Sequence, residues 1–446
     1  MGQLSSCDYL DIVPDERAQE SDTWKTEGAV RGYLYSCYGY LPANRTFGNS
    51  YWLAEELTAV TKELFTTFKY GYYSPVSLGF TSNTWSTIWN GIHQCYMFQE
   101  SLKQVSNEYV TDEMKKQYLA ESNFLIAYYH FLSMRSYGPT MIIRSVIDLE
   151  TPISGFPERS SIDEVVAFIN EKLDEAMSEG GLPTTWSGKD YGRATRLAAL
   201  ALKSRVYLYA ASPLYNGNTE MYADFRSPLD GRQLIAQEKS QAKWETSATQ
   251  TKYAIDEVEK AKFHLYHDAD AGEPSDAKPG LPNKAQRRLR YTNIDNQTGN
   301  NPEIIWADTR NDDYYGIQRR CPPRQTLGGK FAGISMTNCP TLQTIEAFYT
   351  KNGLPINKDK TFDYDERYEY ISAPENCDGN NYEDLVKYAN FTPSSDKVMR
   401  LCTDREPRFY AWTTYHNGYF EFGKYNNEEI SADPAKRAIR IHLLRD

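Results

Sequence analysis

The stretch TDEMKKQYLAESNFLIAYYHFLSMRSYGPT, residues 111–140, decides the fold of this chain. It opens with Thr111, a good helix cap, and continues with acidic residues that favour a helix N-terminus. Large residues then recur at intervals of three and four, which is the spacing of one helix face, and Gly138-Pro139 ends the pattern. The sequence therefore predicts a long helix from Thr111 to Gly138. Its predicted buried stripe consists of Tyr118, Ser122, Leu125, Tyr129 and Leu132.

Similar signals on both sides of this helix predict a mainly α-helical fold. Ser161 and Glu164 form a capping-box pattern, and the segment from Arg193 to Ser212 is apolar almost all round, which predicts a buried helix. Neighbouring helices of similar length suggest a helical repeat, although the tetratricopeptide signature is missing. We predict a mainly α-helical scaffold of degenerate helix pairs, interrupted by long irregular segments with a few short strands. The other predicted helices are Asp22–Leu41, Trp85–Leu102, Ser161 to about Glu179, Arg193–Ser212 and Lys252 to about Tyr266.

Composition and charge exclude two broad classes of function. The chain has 446 residues, of which 49 are basic and 60 acidic, and a net charge of −11. A surface of that sign repels phosphate backbones, so no nucleic-acid partner is expected. No apolar run approaches the roughly 18 residues of a membrane-spanning helix, which excludes a transmembrane transporter. The 7 cysteines form no CxxC pair, so neither a zinc site nor a disulfide framework is supported.

Two long segments interrupt the helices, and the second half of the chain is predicted to be mostly irregular. Pro42–Thr84 is rich in aromatic residues, whereas Asp268–Asn301 is rich in Asp, Pro and Gly. Connections of this length without secondary structure are usually functional or carry small strands. After Pro302, alternating patterns such as that of Glu303–Trp306 predict loops and short strands.

Catalytic and cofactor motifs are weak in this sequence. Gly181 and Gly188 are too far apart for a phosphate loop, and Asp190 stands where a magnesium-binding Ser or Thr belongs. His264 and His267 have no cysteine or third partner at metal-ligand spacing, so we interpret them as structural. No nucleophile elbow or zinc-protease motif occurs, and we predict no cofactor, metal or catalytic residue. The carboxylate pair of a glycosidase stays open, because the separation of two carboxylates is a spatial quantity.

Aromatic residues are the unusual feature of the composition, with 35 tyrosines and 8 tryptophans. They concentrate in Pro42–Trp85 and Trp306–Arg320, where arginine and asparagine stand beside them. The apolar face of a pyranose packs on an aromatic ring, while its hydroxyls need donors and acceptors. We expect most of these rings to be core, but position in a loop favours a subset as a platform for sugars. The predicted binding residues are Trp52, Tyr72, Tyr73, Trp85, Arg310, Tyr314 and Tyr315.

The N-terminus, MGQLSSCDYLDIVPDE, is compatible with three interpretations. Met1, Gly2 and Ser6 fit the short myristoylation pattern. Leu4 to Cys7 fit a bacterial lipobox, in which the cysteine thiol accepts a diacylglycerol. An ordinary polar terminus is the third interpretation, because the charged and apolar regions of a signal peptide are missing. Under the lipobox interpretation, the chain starts inside a signal peptide.

Five stretches of the chain together resemble the SusD/RagB family of surface nutrient-binding lipoproteins of Bacteroidetes. They occur in the family's order and extend over nearly the whole chain, which makes the resemblance far more specific than a single motif. The stretches are CDYLD followed by Pro14 (7–14), NFLIAYYHFLSMRSYGPT (123–140), RATRLAALALKSRVYLYAASPLYNG (193–217), NPEIIWADT (301–309) and DREPRFYAWTTYHNG (404–418).

The resemblance implies a scaffold of four degenerate tetratricopeptide-like helix pairs, with Cys7 as the lipidation site. It implies a lipid-anchored protein on the surface of the outer membrane. The implied partners are an oligosaccharide and a SusC-like TonB-dependent transporter, to which the lipoprotein delivers glycan. The implied organisation is a lipobox remnant and tether over 1–20 and a single domain over 21–446, with the scaffold mainly in 21–267 and the loop-rich ligand-binding part mainly in 42–84 and 268–446.

Two departures from the family limit what can be carried over. The family usually continues well beyond the region that matches AIRIHLLRD (438–446), so a C-terminal truncation is expected. Its binding aromatics also vary between members, so the resemblance places the site only by position, on the loops before Trp85 and after Trp306.

Four functions are compatible with these observations. We expect a glycan-binding lipoprotein without enzymatic activity. The first alternative is a RagB-like lipoprotein that binds peptides, and the second is an α-helical polysaccharide-degrading enzyme. The third is a scaffold that contacts only the transporter and binds no small ligand.

Overall fold

The structure is a computed structural model that describes residues 24–42, 56–59, 74, 80–148, 150–267, 285, 288–290, 292, 301–310, 338–372, 397–416, 419–421 and 438–440. The chain divides into two compact units. Unit 1 comprises residues 1–41, 79–261 and 305–307, and unit 2 comprises residues 42–78, 262–304 and 308–446. The predicted cysteine anchor, Cys7, lies outside the described residues.

The described elements are mainly helices with a few short strands, which confirms the predicted fold class. The helices are α1 (Glu27–Tyr38), α2 (Phe80–Leu102), α3 (Asp112–Tyr137), α4 (Ile162–Ala176), α5 (Arg196–Ala211), α6 (Thr219–Tyr222), α7 (Gln241–Lys260), α8 (Leu342–Ala347) and α9 (Pro407–Trp412). The strands are β1 (Leu57–Ala59), β2 (Thr140–Met141), β3 (Arg159–Ser160), β4 (Asn338–Pro340), β5 (Tyr370–Ser372), β6 (Lys397–Met399), β7 (Tyr419–Glu421) and β8 (Ala438–Arg440).

Polar caps fix the ends of the long helices in unit 1. The Thr111 hydroxyl accepts a hydrogen bond from the Met114 backbone N–H, as the sequence predicts for the start of α3. Gly138 ends this helix with φ of 72°, a left-handed conformation that favours glycine. The predicted capping box at α4 is also present, because Ser161 N–H donates to Glu164 Oε2 over 2.7 Å and Glu164 N–H donates to Ser161 Oγ over 3.3 Å.

Three predicted helices have boundaries that are wrong by five residues or more, each for a local reason. Helix α1 begins at Glu27 rather than Asp22, because Thr26 is its cap. Helix α2 begins at Phe80 rather than Trp85; its first turns carry Thr, Ser and Asn, residues that sequence patterns assign to caps and loops.

Helix α7 has the largest boundary error, since it spans 241–260 rather than 252–266. Its first half was missed because it buries little: Ser247 and Ala254 are its buried residues. It ends before Tyr266 because Lys262 adopts φ of 71°, which a right-handed helix cannot contain.

Helix α3 lies at the centre of unit 1. It packs against α1, α2 and α4, while α5 packs against α4 and α7, so most neighbours in space are neighbours in the chain. All five residues of the predicted stripe, from Tyr118 to Leu132, are buried. Helix α5 differs from the prediction, because Arg205 and Leu208 are exposed on a face that neither α4 nor α7 covers.

Gly91 allows α2 to approach α3 closely. A Cβ atom at this position would lie 2.7 Å from Cζ of the Tyr129 ring. The ring has little freedom to move, because Tyr129 is fully buried and its hydroxyl donates to the Cys37 carbonyl over 2.6 Å. The glycine inside the predicted helix is therefore a packing requirement.

Replacing Gly91 with alanine is expected to destabilise unit 1 by about 1–3 kcal/mol, the range for overpacked cores. This reverses the usual gain of about 1 kcal/mol when alanine replaces glycine in a helix. Gly32→Ala on α1 is the matched control, because no described heavy atom lies within 4 Å of the added Cβ. Urea unfolding followed by far-UV circular dichroism measures both variants. Equal stability of the two variants would contradict the close approach.

Unit 2 has a smaller core and, among its described residues, three pairs of strands. Strands β1 and β4, β5 and β6, and β7 and β8 form antiparallel pairs, whereas the fourth pair, β2 and β3, belongs to unit 1. The predicted strand character of Glu303–Trp306 is wrong: these residues form turns and bends. The buried core residues are Ile345, Ile356, Phe362, Leu401 and Phe409.

Polar side chains order one loop of unit 2. Asp359 accepts hydrogen bonds from the Thr350 hydroxyl over 2.6 Å and from the Thr361 hydroxyl over 2.7 Å. Asn352 donates to the same carboxylate over 3.0 Å. These bonds, that of Thr350 first, hold the pKa of Asp359 well below its ordinary value. The carboxylate thus holds this irregular segment together with the buried side chains of Ile356 and Phe362.

Candidate functional site

Trp85 belongs to an aromatic cluster in unit 1. Its ring meets that of Tyr137, the last residue of α3, edge-on at 4.9 Å between centroids. The Trp89 ring, one turn further along α2, lies 5.3 Å away in a tilted arrangement. Trp85 stays half-buried, so part of its surface remains accessible. The packing contacts fix its orientation, which is a requirement for a ring that stacks on a ligand.

A small apolar cavity of 170 Å³ lies beside Trp89. Its walls include Ile92 and His93 of α2 and the half-exposed Phe156. The indole N–H of Trp89 is buried and has no hydrogen-bond partner within the described residues. A buried donor without an acceptor is unfavourable. Sequence reasoning missed this donor, and its signal was the i, i+4 spacing of Trp85 and Trp89.

His130 packs against the aromatic cluster through Trp89. Its ring meets Trp89 edge-on at 6.0 Å. Its Nδ1 lies 2.8 Å from the Ile126 carbonyl, and the Ile143 backbone N–H donates to its Nε2 over 3.3 Å. The ring is therefore neutral with the proton on Nδ1, and burial lowers the pKa of His130 to about 4. These bonds make His130 a structural residue rather than a proton carrier near neutral pH.

Arg310 lies in unit 2, where its guanidinium is already bound. It donates to both carboxylate oxygens of Asp308, over 2.8 and 2.5 Å, and to the Pro42 carbonyl over 2.9 Å. Burial opposes the charge of Asp308, but the hydrogen bonds from Arg310 hold the pKa of this carboxyl below its ordinary value. Arg310 thus connects Pro42, the first residue of the predicted binding loop 42–84, to the start of the second predicted loop, 306–320.

The remaining predicted binding residues stay predictions, because they lie outside the described residues. They are Trp52, Tyr72, Tyr73, Tyr314 and Tyr315.

The two weak motifs of the sequence have structural explanations. Gly188 to Asp190 form a short 3-10 helix, and Asp190 pairs with Arg193 over 2.8 Å rather than with a magnesium ion. The rings of His264 and His267 stack with centroids 5.5 Å apart. Across the part of the chain that the structure describes, no group of three His, Cys, Asp or Glu residues could hold a metal ion.

A buried ion pair holds the centre of unit 1. Glu121 of α3 is fully buried, and its carboxylate accepts from Arg193 over 2.5 and 3.2 Å and from the Tyr38 hydroxyl over 2.6 Å. Burial raises the pKa of Glu121 against these bonds. The Arg193 guanidinium also lies 4.1 Å above the Trp186 ring. Within the described residues, Glu121 and Asp190 pair with the charge of Arg193. We therefore interpret this network as structural.

Trp306 joins three of the stretches that carry the family resemblance. Its ring meets Phe124 edge-on at 5.1 Å and Tyr128 edge-on at 5.6 Å, both within 123–140. Its indole N–H donates to the Gly192 carbonyl over 2.8 Å, directly before the stretch 193–217. The stretch 301–309 thus packs on the helices of unit 1 through Trp306.

The stretch 404–418 is anchored by Arg405 in unit 2. The side chain is 2% exposed, and it donates to the carbonyls of Leu401, Ile345 and Phe348 over 2.6–2.7 Å. Burial lowers the pKa of Arg405. Its geometry shows that this residue organises backbone rather than binding a ligand.

Two models of known protein families match this chain. A family model described as "Starch-binding associating with outer membrane" (SusD-like_3) matches residues 8–208. A second model, described as "SusD family" (SusD_RagB), matches residues 302–438. The chain belongs to the SusD/RagB family. No curated protein sequence matches this family member.

Solved structures show the same fold. The protein designated BT4246 is 29% identical with a TM-score of 0.70, and the match covers 90% of this chain and 66% of that one. A SusD-like protein from Bacteroides fragilis NCTC 9343 is 20% identical with a TM-score of 0.63, covering 96% of this chain and 66% of its own. At that identity the second likeness shows the fold alone. This family member therefore spans just under two thirds of the length of these relatives.

Within the described helices of this family member, none combines the length and apolar character needed to cross a bilayer.

Proposed function

We propose that this chain is a cell-surface glycan-binding lipoprotein, which captures oligosaccharides and passes them to a SusC-like TonB-dependent transporter. The observation that carries the proposal is family membership, because the two matching models extend from residue 8 to 208 and from 302 to 438. The description of the first model names both starch binding and the outer membrane.

The ligand site is proposed on the loops that precede Trp85 and follow Trp306. Trp52, Tyr72, Tyr73, Tyr314 and Tyr315 would provide ring faces for pyranose units, with Trp85 as the ring held by the described aromatic cluster. Arg310 would act mainly by holding the loops, since Asp308 and the Pro42 carbonyl occupy its donors. Each stacked ring contributes on the order of 1 kcal/mol, so a few rings give roughly micromolar to millimolar affinity. Weak binding suits a protein that must release its cargo.

Membrane attachment is proposed through a diacylglycerol on Cys7, with Asp8 to Asp11 starting a tether. Durable attachment needs more than one acyl chain, which a multiply acylated cysteine provides. The test is metabolic labelling of the full-length protein with a tagged fatty acid. Cys7→Ala is expected to abolish the label, and label retained by this variant would refute the anchor.

Binding of glycans is tested by affinity electrophoresis of the chain from Asp8 onward, in gels containing starch, laminarin, xylan or yeast mannan. Retardation by one of these polysaccharides is expected, and Trp52→Ala combined with Tyr315→Ala should weaken it at least about tenfold, as expected for two lost rings. Tyr35→Ala is the matched control, because this ring is exposed on α1 and is not among the predicted binding residues. Serum albumin shows the migration of an unretarded protein.

Three results would change the proposal. No retardation in any gel would remove glycan binding, and competition by short peptides would favour the RagB-like alternative. Release of reducing ends by the purified chain would establish an enzyme instead of a binding protein.

A further inference from the structure

A second cavity of unit 1, separate from the aromatic loops, lies where α5 ends and α6 and α7 begin. Its volume is 610 Å³, within the range of roughly 300–1,000 Å³ that is typical of small-molecule sites. The residues that line it include Asn218, Thr219, Glu220, Met221, Lys239 and Trp244.

Hydrogen bonds of Asn216 and a close approach at Gly217 hold the segments around this cavity together. Asn216 is buried, donates to the carbonyls of Ala211 and Ser240 over 3.2 and 2.9 Å, and accepts from the Ser240 N–H over 2.7 Å. Gly217 has φ of 83°, and a Cβ atom there would lie 2.6 Å from the backbone nitrogen of Lys239. Glycine is thus required for the two segments to meet. The cavity is a built feature of the fold rather than a gap between loose loops.

The groups that line the cavity are available to a ligand. Within the described residues, neither Glu220 nor Lys239 makes an ion pair, although the two carry opposite charges and face the same space. Both side chains are exposed, and so is that of Met221, at 72%. Trp244 is half-buried, so its ring is held while part of it remains accessible. The site therefore offers a carboxylate acceptor, an ammonium donor and a fixed indole.

This combination fits the chemistry of a sugar. A pyranose has an apolar C–H face that packs on an indole, and a rim of hydroxyls that both donate and accept. Glu220 can accept from hydroxyls and Lys239 can donate to them, whereas the Asn218 amide already accepts from the Met221 N–H and donates to the Leu214 carbonyl. A purely aliphatic ligand would leave both charges without partners, which is unfavourable when they are desolvated.

We propose that this cavity is a second carbohydrate-binding site, which takes a short oligosaccharide with one sugar ring on Trp244. The proposal rests on the proposed glycan-binding function and adds a site that the aromatic loops do not include.

The test is titration calorimetry with short oligosaccharides, prepared by partial hydrolysis of whichever of starch, laminarin, xylan or mannan retards the chain in gels. The unchanged protein is expected to bind two equivalents. Trp244→Ala and the near-isosteric Glu220→Gln should each weaken one site at least about fivefold, the loss of one stacked ring or one charged hydrogen bond. Tyr253→Ala is the matched control, because this ring is exposed on α7 but does not line the cavity.

The loop variant separates this proposal from the proposed function. Trp52→Ala with Tyr315→Ala should still bind one equivalent at the cavity, and adding Trp244→Ala should remove it. If the unchanged protein binds oligosaccharide but Trp244→Ala and Glu220→Gln leave stoichiometry and affinity as they were, the cavity is not a sugar site while glycan binding stands. If no oligosaccharide binds the unchanged protein, both proposals fall. Displacement of the cavity-bound sugar by short peptides would also overturn the assignment.

Discussion

Replacing Glu121 with leucine is expected to destabilise unit 1 by about 3–5 kcal/mol, the range for a buried ion pair that loses one partner. The substitution leaves Arg193, which is 8% exposed, with a buried positive charge and, among the described residues, Asp190 alone as a carboxylate partner. It also removes the acceptor of the Tyr38 hydroxyl. Urea unfolding followed by far-UV circular dichroism measures the loss.

The control is the double variant Glu121→Leu with Arg193→Met. Because it removes both charges, it should be more stable than the single variant Glu121→Leu, even though it lacks one more native side chain. Simple addition of two large losses would contradict the interpretation that the unpaired charge dominates. A loss below about 1 kcal/mol in the single variant would show that solvent reaches Arg193.

Arg405→Met is expected to produce the largest loss in unit 2, about 3 kcal/mol or more. Three carbonyls, those of Ile345, Phe348 and Leu401, would lose their donor. Each buried acceptor left without a partner costs about 1–3 kcal/mol. Hydrogen exchange detected by mass spectrometry is the suitable measurement, because it reports on peptides of unit 2 separately from the helices of unit 1.

Arg408→Met is the matched control for this prediction. Arg408 lies one helical turn further on, its side chain is 45% exposed, and it pairs with Glu406. Exposed pairs contribute little, so its peptides should exchange within about twofold of the unchanged protein. Arg405→Lys should lose most of the protection, because one ammonium group cannot reach carbonyls that the planar guanidinium serves from two nitrogens. Equal exchange in Arg405→Met and Arg408→Met would contradict the anchoring role.

The helical scaffold could be predicted because local signals agree with the packing. At α3 the cap Thr111, the buried stripe and Gly138 all indicate the same boundaries, and the structure confirms them. At α7 the same reasoning fails, because the helix is mostly exposed and its sequence carries no apolar stripe. The C-terminal end of α7 depends on Lys262, whose positive φ no sequence pattern predicts. Glu303–Trp306 failed for a different reason: Trp306 is apolar because it packs on Phe124, not because it alternates in a strand.

The candidate site could be predicted only in part. Sequence position singled out Trp85, and its i, i+4 spacing to Trp89 was readable, but no spacing connects Trp85 with Tyr137 of α3. Arg310 was selected as a possible sugar contact, whereas its donors are engaged by Asp308 and Pro42, a pairing that only three-dimensional proximity reveals. Trp244 escaped notice because it stands alone in a polar helix, where composition gives no hint of a cavity.

The bond between Trp306 and the Gly192 carbonyl also has a consequence for the order of folding. It connects positions 114 residues apart, so the helices of unit 1 leave the ribosome well before their last packing partner. Until that partner is in place, the rings of Phe124 and Tyr128 lack their contact with Trp306. The last packing step of unit 1 therefore depends on a residue far from these helices in the chain.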